Sequence, residues 1–290
     1  MISYKRSHIQ SAGIVITGAS SGIGAACALA LDKLGYRVFA GLRDKADGET
    51  LTASAGPRLM PIGLDVTDAA SIAAAVHTVK AMVGEHGLTG LVNNAGIAVA
   101  GPVEVLPITE WRRQFEVNIL GLVAVTQAFL PLLRQGRGRI VNIGSMSGRV
   151  AMPFMAPYSA SKHALSGLTD SLRLELRPWG IHVALIEPGA VATPIWNKTR
   201  KEVDAWDAGW AKEIKALYGP PFNNAKEFAS QAGAHAPPPG IVVDAVIHAL
   251  RSRFPKTRYL VGRDARTRAI LSTILPDRLH DWLISKIIKL

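Results

Sequence analysis

The sequence is nearly without cysteine. Its one thiol, Cys27, excludes an intramolecular disulfide and fits a reducing, cytoplasmic compartment. Cys27 lies in a run of helical spacing, where a packed thiol is expected rather than a reactive one. Long apolar runs are also missing. The most apolar uncharged stretch, 117–133, falls just short of the roughly 18 residues of a membrane span. It also contains Asn118, Thr126, Gln127 and Pro131, so it reads as a buried helix. No secretory signal is expected, because the apolar residues after Gly13 lead straight into a glycine turn. No cluster of side chains has metal-ligand spacing, and no internal repeat is visible. Aromatic residues make up only 6% of the chain, yet 48% is apolar, ample for a buried core.

Acidic residues are scarce towards the carboxyl end. The net charge is +11, and residues 251–290 hold ten Lys or Arg against three Asp, a net +7. The basic excess therefore belongs to the tail. A nucleic-acid-binding fold would spread its basic face across the domain, so no nucleic-acid partner is expected.

What is present is alternation. Short apolar runs at 14–17, 36–42, 59–64, 90–93, 139–143 and 182–187 read as strands. Between them, 22–34, 68–83, 110–134 and 157–176 have helical spacing. Strands alternating with helices predict an α/β fold with a parallel sheet covered on both faces. After Pro188-Gly189 the pattern changes. Val203, Trp206, Trp210, Ile214 and Leu217 fit one helical face, and Pro237-Pro238-Pro239-Gly240 then breaks the chain. A further helix over 242–251 and a last strand near 259–261 precede a basic, amphipathic tail. In it, Leu279, Trp282, Leu283, Ile287 and Leu290 fall near one side of a helix flanked by Arg278, Lys286 and Lys289. That face fits either an anionic membrane surface or packing on the body or a neighbouring subunit.

Three motifs carry chemistry. Gly18, Gly22 and Gly24 form G-x-x-x-G-x-G between the first strand and the first helix. Glycines there let the backbone turn sharply towards a pyrophosphate, and the helix N-terminus offers N–H groups to the anion. Asn93-Asn94-Ala95-Gly96 follows the fourth strand. Tyr158 and Lys162, four residues apart on a helix, share a face. A cation ~4 Å from a phenol contributes about 4 kcal/mol at an effective dielectric of ~20. With a second positive charge, that of an oxidised nicotinamide, it is expected to draw the tyrosine pKa down towards neutrality even against some desolvation. Together these features point to hydride transfer to or from a carbonyl with a nicotinamide cofactor.

In combination they resemble the classical branch of the short-chain dehydrogenase/reductase family. The resemblance rests on T-G-x-x-x-G-x-G at Thr17–Gly24, N-N-A-G at 93–96, Asn118, Ser145 thirteen residues before Tyr158, Y-x-x-x-K, and Pro188-Gly189 followed by Thr193. It implies one Rossmann-like, doubly wound domain with about seven parallel strands over 1–262. A helical substrate lid would span about 193–240, with the tail at 263–290. Asn118, Ser145, Tyr158 and Lys162 would be the catalytic tetrad, with Ser145 preferred to Ser147 on the family spacing. Thr17, Gly18, Ser20, Ser21, Gly22, Ile23 and Gly24 would hold the cofactor, with Asp65 and Val66 at the adenine. Asn94, Ala95, Gly96, Pro188, Gly189, Val191 and Thr193 would complete the site, beside Tyr158 and Lys162 themselves. The second strand ends in Leu42, which cannot select NAD as an acidic residue would, and Arg43 can pair with a 2′-phosphate. NADP is therefore expected, with NAD as the alternative. The wording around the site resembles the hydroxysteroid and retinol dehydrogenases, implying a lipophilic alcohol or ketone. A homodimer or homotetramer is expected by the same resemblance, and peripheral membrane contact would run through the tail. The competing reading is a cofactor-binding regulatory or interaction protein of the same fold. A third, epimerase or dehydratase chemistry on a nucleotide sugar, fits the glycine spacing poorly.

Overall fold

Seven apolar segments pair side by side because none can bury its backbone polar groups alone. In the computed structural model, which describes residues 13–290, they are β1 (Gly13–Ile16), β2 (Arg37–Leu42), β3 (Leu59–Gly63), β4 (Leu88–Asn93), β5 (Arg139–Ile143), β6 (His182–Pro188) and β7 (Arg258–Val261). Residues 1–12, the start of the expected 1–262 unit, lie outside the described residues. The sheet order is β3-β2-β1-β4-β5-β6-β7, and every neighbouring pair is parallel. Strands covered on both faces are apolar nearly throughout; Ile14, Val15 and Ile16 are all fully buried.

The helices are α1 (Gly22–Lys33), α2 (Lys45–Thr52), α3 (Ala69–Val83), α4 (Ile108–Phe115), α5 (Leu122–Gln135), α6 (Ala156–Glu175), α7 (Ile195–Asp207), α8 (Lys212–Ala234), α9 (Gly240–Arg251), α10 (Arg263–Ile274) and α11 (Asp277–Ile288). Cys27 and Leu31 of α1 pack with Val242 and Leu250 of α9 on one face of the sheet. Val79 of α3 and Phe129 of α5 pack on the other. The chain winds outward from β1 to β3, returns to β4 beside β1, and winds outward again to β7. That reversal opens a crevice at the carboxyl ends of β1 and β4.

Three elements depart from the sequence pattern. The helix expected over 110–134 runs from Ile108 to Gln135 and is interrupted by a π segment, Glu116–Gly121. It is long and apolar enough to cross a membrane. In the fold, Val125, Phe129, Leu132 and Leu133 are buried in the sheet-facing core. The apolar face expected to run from Val203 to Leu217 is split, because α7 stops at Asp207 and α8 starts at Lys212. Gly209, a poor helix former, lies in the break. The helix α2 was not apparent from apolar spacing. It exists because Asp44 caps it, Oδ1 accepting from Ala46 N at 2.9 Å.

Candidate active site

Four loops meet at the carboxyl ends of β1, β4, β5 and β6. After β1, Gly18 has φ +61°, a left-handed conformation that a Cβ would strain. A Cβ on Gly24 would lie 2.3 Å from the Gly18 carbonyl oxygen, so only glycine lets α1 begin this close to the turn. Ser21 precedes α1 without a side-chain capping bond among the described residues. The first N–H groups of α1 thus remain available to an anion. Asn94 shapes this turn from the neighbouring loop. Its Nδ2 donates to Thr17 O at 3.0 Å and Gly18 O at 2.9 Å. Thr17 Oγ1 accepts in return from Asn94 N at 3.0 Å and Ala95 N at 2.9 Å.

Ser145 follows β5, and Tyr158 and Lys162 stand one turn apart on α6. The Ser145 hydroxyl acts on the Tyr158 phenol and lowers its pKa. Ser147 supports Ser145, its N–H donating to Ser145 Oγ at 3.1 Å. The Lys162 ammonium lies 5.7 Å from the centre of the Tyr158 ring and donates to Ile143 O at 2.9 Å. Asn118, buried in the π segment, anchors the loop after β4. Its Oδ1 accepts from Ile97 N at 2.9 Å, and its Nδ2 donates to Ile97 O at 3.1 Å and Ser161 Oγ at 3.2 Å. Ser161 Oγ donates in turn to Tyr158 O at 2.7 Å. Thr193 lies against Gly22, so the segment after β6 closes over the start of α1.

These loops enclose one cleft of about 1590 Å³. One part is lined by Gly18, Ser20, Ser21, Gly22 and Ile23, with Arg43, Asp65 and Val66 beyond. Ala95, Gly96, Ser145, Tyr158 and Lys162 line it too, as do Pro188, Gly189, Val191 and Thr193.

The short chain dehydrogenase family matches residues 12–204. The chain belongs to the short-chain dehydrogenase family. Retinol dehydrogenase 7 of Rattus norvegicus is 39% identical over 96% of this chain and 89% of its own length. The 17-beta-hydroxysteroid dehydrogenase type 6 of Bos taurus is 38% identical over 97% and 90%. A short chain dehydrogenase from Burkholderia cenocepacia J2315, solved in complex with NADP, superposes with a TM-score of 0.71 at 28% identity, covering 95% of this chain and 98% of that one. The present chain is thus an oxidoreductase of this family, similar over nearly its whole length to a retinol and a hydroxysteroid dehydrogenase.

Electrostatics in this dehydrogenase bear on one expectation. Lys162 and an oxidised nicotinamide together were expected to draw the Tyr158 phenol towards neutrality. Among the chain's own groups, burial raises the phenol pKa and the Ser145 hydroxyl opposes that rise. Burial also lowers Lys162 to about 8. Both groups are thus biased towards their neutral forms. The Cys27 thiol, buried under α1, is pushed up to about 12 and is inert.

Several supporting residues carry no sequence motif. Glu187, fully buried at the end of β6, accepts from Arg149 Nε at 2.8 Å and Nη2 at 2.9 Å. That pair ties the segment after Ser145 to the strand before Pro188. Asn93 Nδ2 donates to Asn142 Oδ1 at 2.9 Å, and Asn142 Nδ2 donates to Thr169 Oγ1 at 2.9 Å. This buried ladder links β4 and β5 to α6. Asp264 Oδ2 accepts from Ala190 N at 2.8 Å. Of the lid tryptophans, Trp196 lines the cleft and donates from Nε1 to Val191 O at 2.8 Å. Trp206 and Trp210 instead join the lid to the body through Phe222 and Phe154, with ring centres 5.1–5.3 Å apart.

Proposed function

We propose that this dehydrogenase interconverts a lipophilic alcohol and its carbonyl compound with NADP(H), Tyr158 acting as general acid and base. The observation that carries the reading is that Ser145, Tyr158 and Lys162 line the same cleft as the glycine turn of α1. A dinucleotide fits the residues present. The turn excludes side chains where the backbone must approach a pyrophosphate, and the uncapped start of α1 suits its charge. Leu42 is buried, Arg43 is exposed beside the cleft, and the neighbouring Asp44 carboxylate is engaged as the α2 cap. That arrangement favours a 2′-phosphate. The cofactor, when bound, supplies or accepts the hydride.

The chain's own residues handle the proton. Tyr158 Oη gives it to the substrate oxygen during reduction and takes it back during oxidation. Ser145 hydrogen-bonds that oxygen as charge develops. Lys162 holds the cofactor ribose and steadies the ionised phenol, and Asn118 holds a water in the proton relay. The rest of the cleft wall includes Met152, Phe154, Met155, Trp196, Phe222 and Phe228, an apolar surface for a steroid- or retinoid-like body. We read 1–262 as the catalytic unit and 263–290 as an attached tail. A homodimer or homotetramer formed through α4–α6 is consistent with Leu120 and Leu174, 54% and 64% exposed in the single chain. We read the protein as cytoplasmic, in peripheral contact with a membrane surface through its tail.

The test is an NADPH-oxidation screen across carbonyl compounds of graded size, run beside Tyr158→Phe. That variant should lose turnover while binding NADPH nearly as well. Wild-type-like activity in it would sink the assignment. Cofactor binding without turnover of any compound would favour the regulatory reading instead.

A further inference from the structure

The geometry points to Arg268 as a specificity-determining residue that binds a carboxylate carried on the substrate's apolar body. This deepens the proposed hydride-transfer reading and rests on it. Arg268 is half-buried on α10 and lines the cleft. A guanidinium has five N–H donors in a planar fork. Among the described residues its one recorded partner is the Met152 thioether, 3.9 Å from Nη1, which is a weak acceptor. No carboxylate lies within ion-pair distance of it among those residues.

The other cations of the cleft differ. Lys226 is engaged by Asp207 at 2.6 Å and Asp204 at 3.4 Å, and Lys162 donates to Ile143 O. Arg43, Lys198 and Arg200 are exposed to water. Arg268 alone among these combines partial burial with unmatched donors in an apolar wall.

Its helix is also held firmly. Ala265 and Ala269 are buried against Met146 and Val150, just after Ser145. Asp264 binds Ala190 N, beside Gly189. Residues 264 and 268 are one helical turn apart and share a face, so the guanidinium is presented on the side already docked to the catalytic loops. A fixed arginine suits bidentate pairing with a carboxylate. It also disfavours a purely hydrocarbon ligand, which would desolvate the guanidinium without replacing its hydrogen bonds. The substrate class that follows is a lipophilic hydroxy or oxo acid.

The experiment compares ω-oxo fatty acids of graded length with their methyl esters on wild type, Arg268→Leu and Arg268→Lys. Wild type should favour the best acid over its ester by about tenfold or more in KM, the scale of a charged hydrogen bond. Arg268→Leu should erase that difference, raising the acid's KM and lowering the ester's, and Arg268→Lys should keep part of it. Retained turnover of the ester shows that the variant is folded. No acid preference in wild type, or a preference surviving in Arg268→Leu, overturns the proposal. If neither acids nor esters are turned over, the hydride-transfer reading is what fails. Calorimetry of the same acid and ester with the NADPH-loaded proteins then still decides Arg268: acid-selective binding lost in Arg268→Leu supports it, and equal binding refutes it.

Discussion

Lys162 shows what the site costs at the scale of one residue. It is only 7% exposed, and burial lowers its pKa from 10.5 to about 8. The unfolded chain keeps that proton up to the higher value. Between pH 8 and 10.5 the unfolded state therefore binds more protons, and this contribution to stability rises with pH. Lys162→Met should melt higher than wild type at neutral pH in the absence of cofactor, with the gap narrowing across that window, and should be inactive. A scan of melting temperature against pH for the two proteins measures it. The same burial moves the Tyr158 pKa upward instead, keeping the phenol protonated near neutrality. Carbonyl reduction should thus be supported at neutral pH and alcohol oxidation should increase with pH, seen in kcat/KM profiles. At the other end of the cleft, Leu42→Asp should shift preference from NADPH towards NADH by repelling the 2′-phosphate. Higher catalytic efficiency of wild type with NADH than with NADPH contradicts the assignment. Tyr158, Lys162 and the glycines were legible because their relations are local: one helical turn and one tight turn. Glu187, Asp264 and Arg268 were not, since their partners lie 38, 74 and 116 residues away.

At the scale of elements, alternation alone gave the sheet, because a parallel strand needs a crossover before the next one. What periodicity missed was register within a helix. Residues 110–134 carry an apolar stripe that reads as regular, yet the helix widens over Glu116–Gly121, where Asn118 reaches both Ile97 in the loop after β4 and Ser161 of α6. Such π insertions commonly occur at functional sites. The link between β6 and the Ser145 loop was equally hidden, since an isolated Arg or Glu in a sequence is normally a solvated charge. Here Glu187 is fully buried, held by Arg149 and, at 3.3 Å, by Arg258. Arg149→Met leaves that carboxylate with the longer contact only. It should destabilise the fold by about 3 kcal/mol, the usual result of breaking one side of a buried pair. Urea unfolding with an unchanged m value would register it. A midpoint equal to wild type would show that Arg258 alone suffices.

At the scale of the whole molecule, the tail is both wall and surface. Ile288 is buried and lines the cleft, Ile284 packs on the Met146 cluster, and Asn224 of the lid donates to Lys289 O at 2.8 Å. Of the stripe read from the sequence only Leu283 is half-buried. Leu279, Trp282, Ile287 and Leu290 remain 45%, 54%, 60% and 52% exposed, and Ile270 and Ile274 of α10 are exposed as well. So many exposed large apolar side chains on two successive helices suit an interaction surface. Arg278, Lys286 and Lys289 accompany it on the same helix and its end, and a second copy would bring the same charges against them. An anionic bilayer would instead attract each by about 1 kcal/mol and accept the tryptophan at its interface. Such docking would set the inner end of the tail, at Ile288, close to a reservoir of lipophilic substrate. Full-length protein should co-sediment with anionic liposomes at low salt and be released as salt rises, while binding neutral vesicles weakly. Trp282→Ser with Ile287→Ser changes only exposed side chains and should abolish sedimentation without altering turnover of a dispersed substrate. If light scattering shows that this double variant turns an oligomer into monomers, while liposome binding is absent in wild type, the face belongs to a second subunit and the membrane assignment fails.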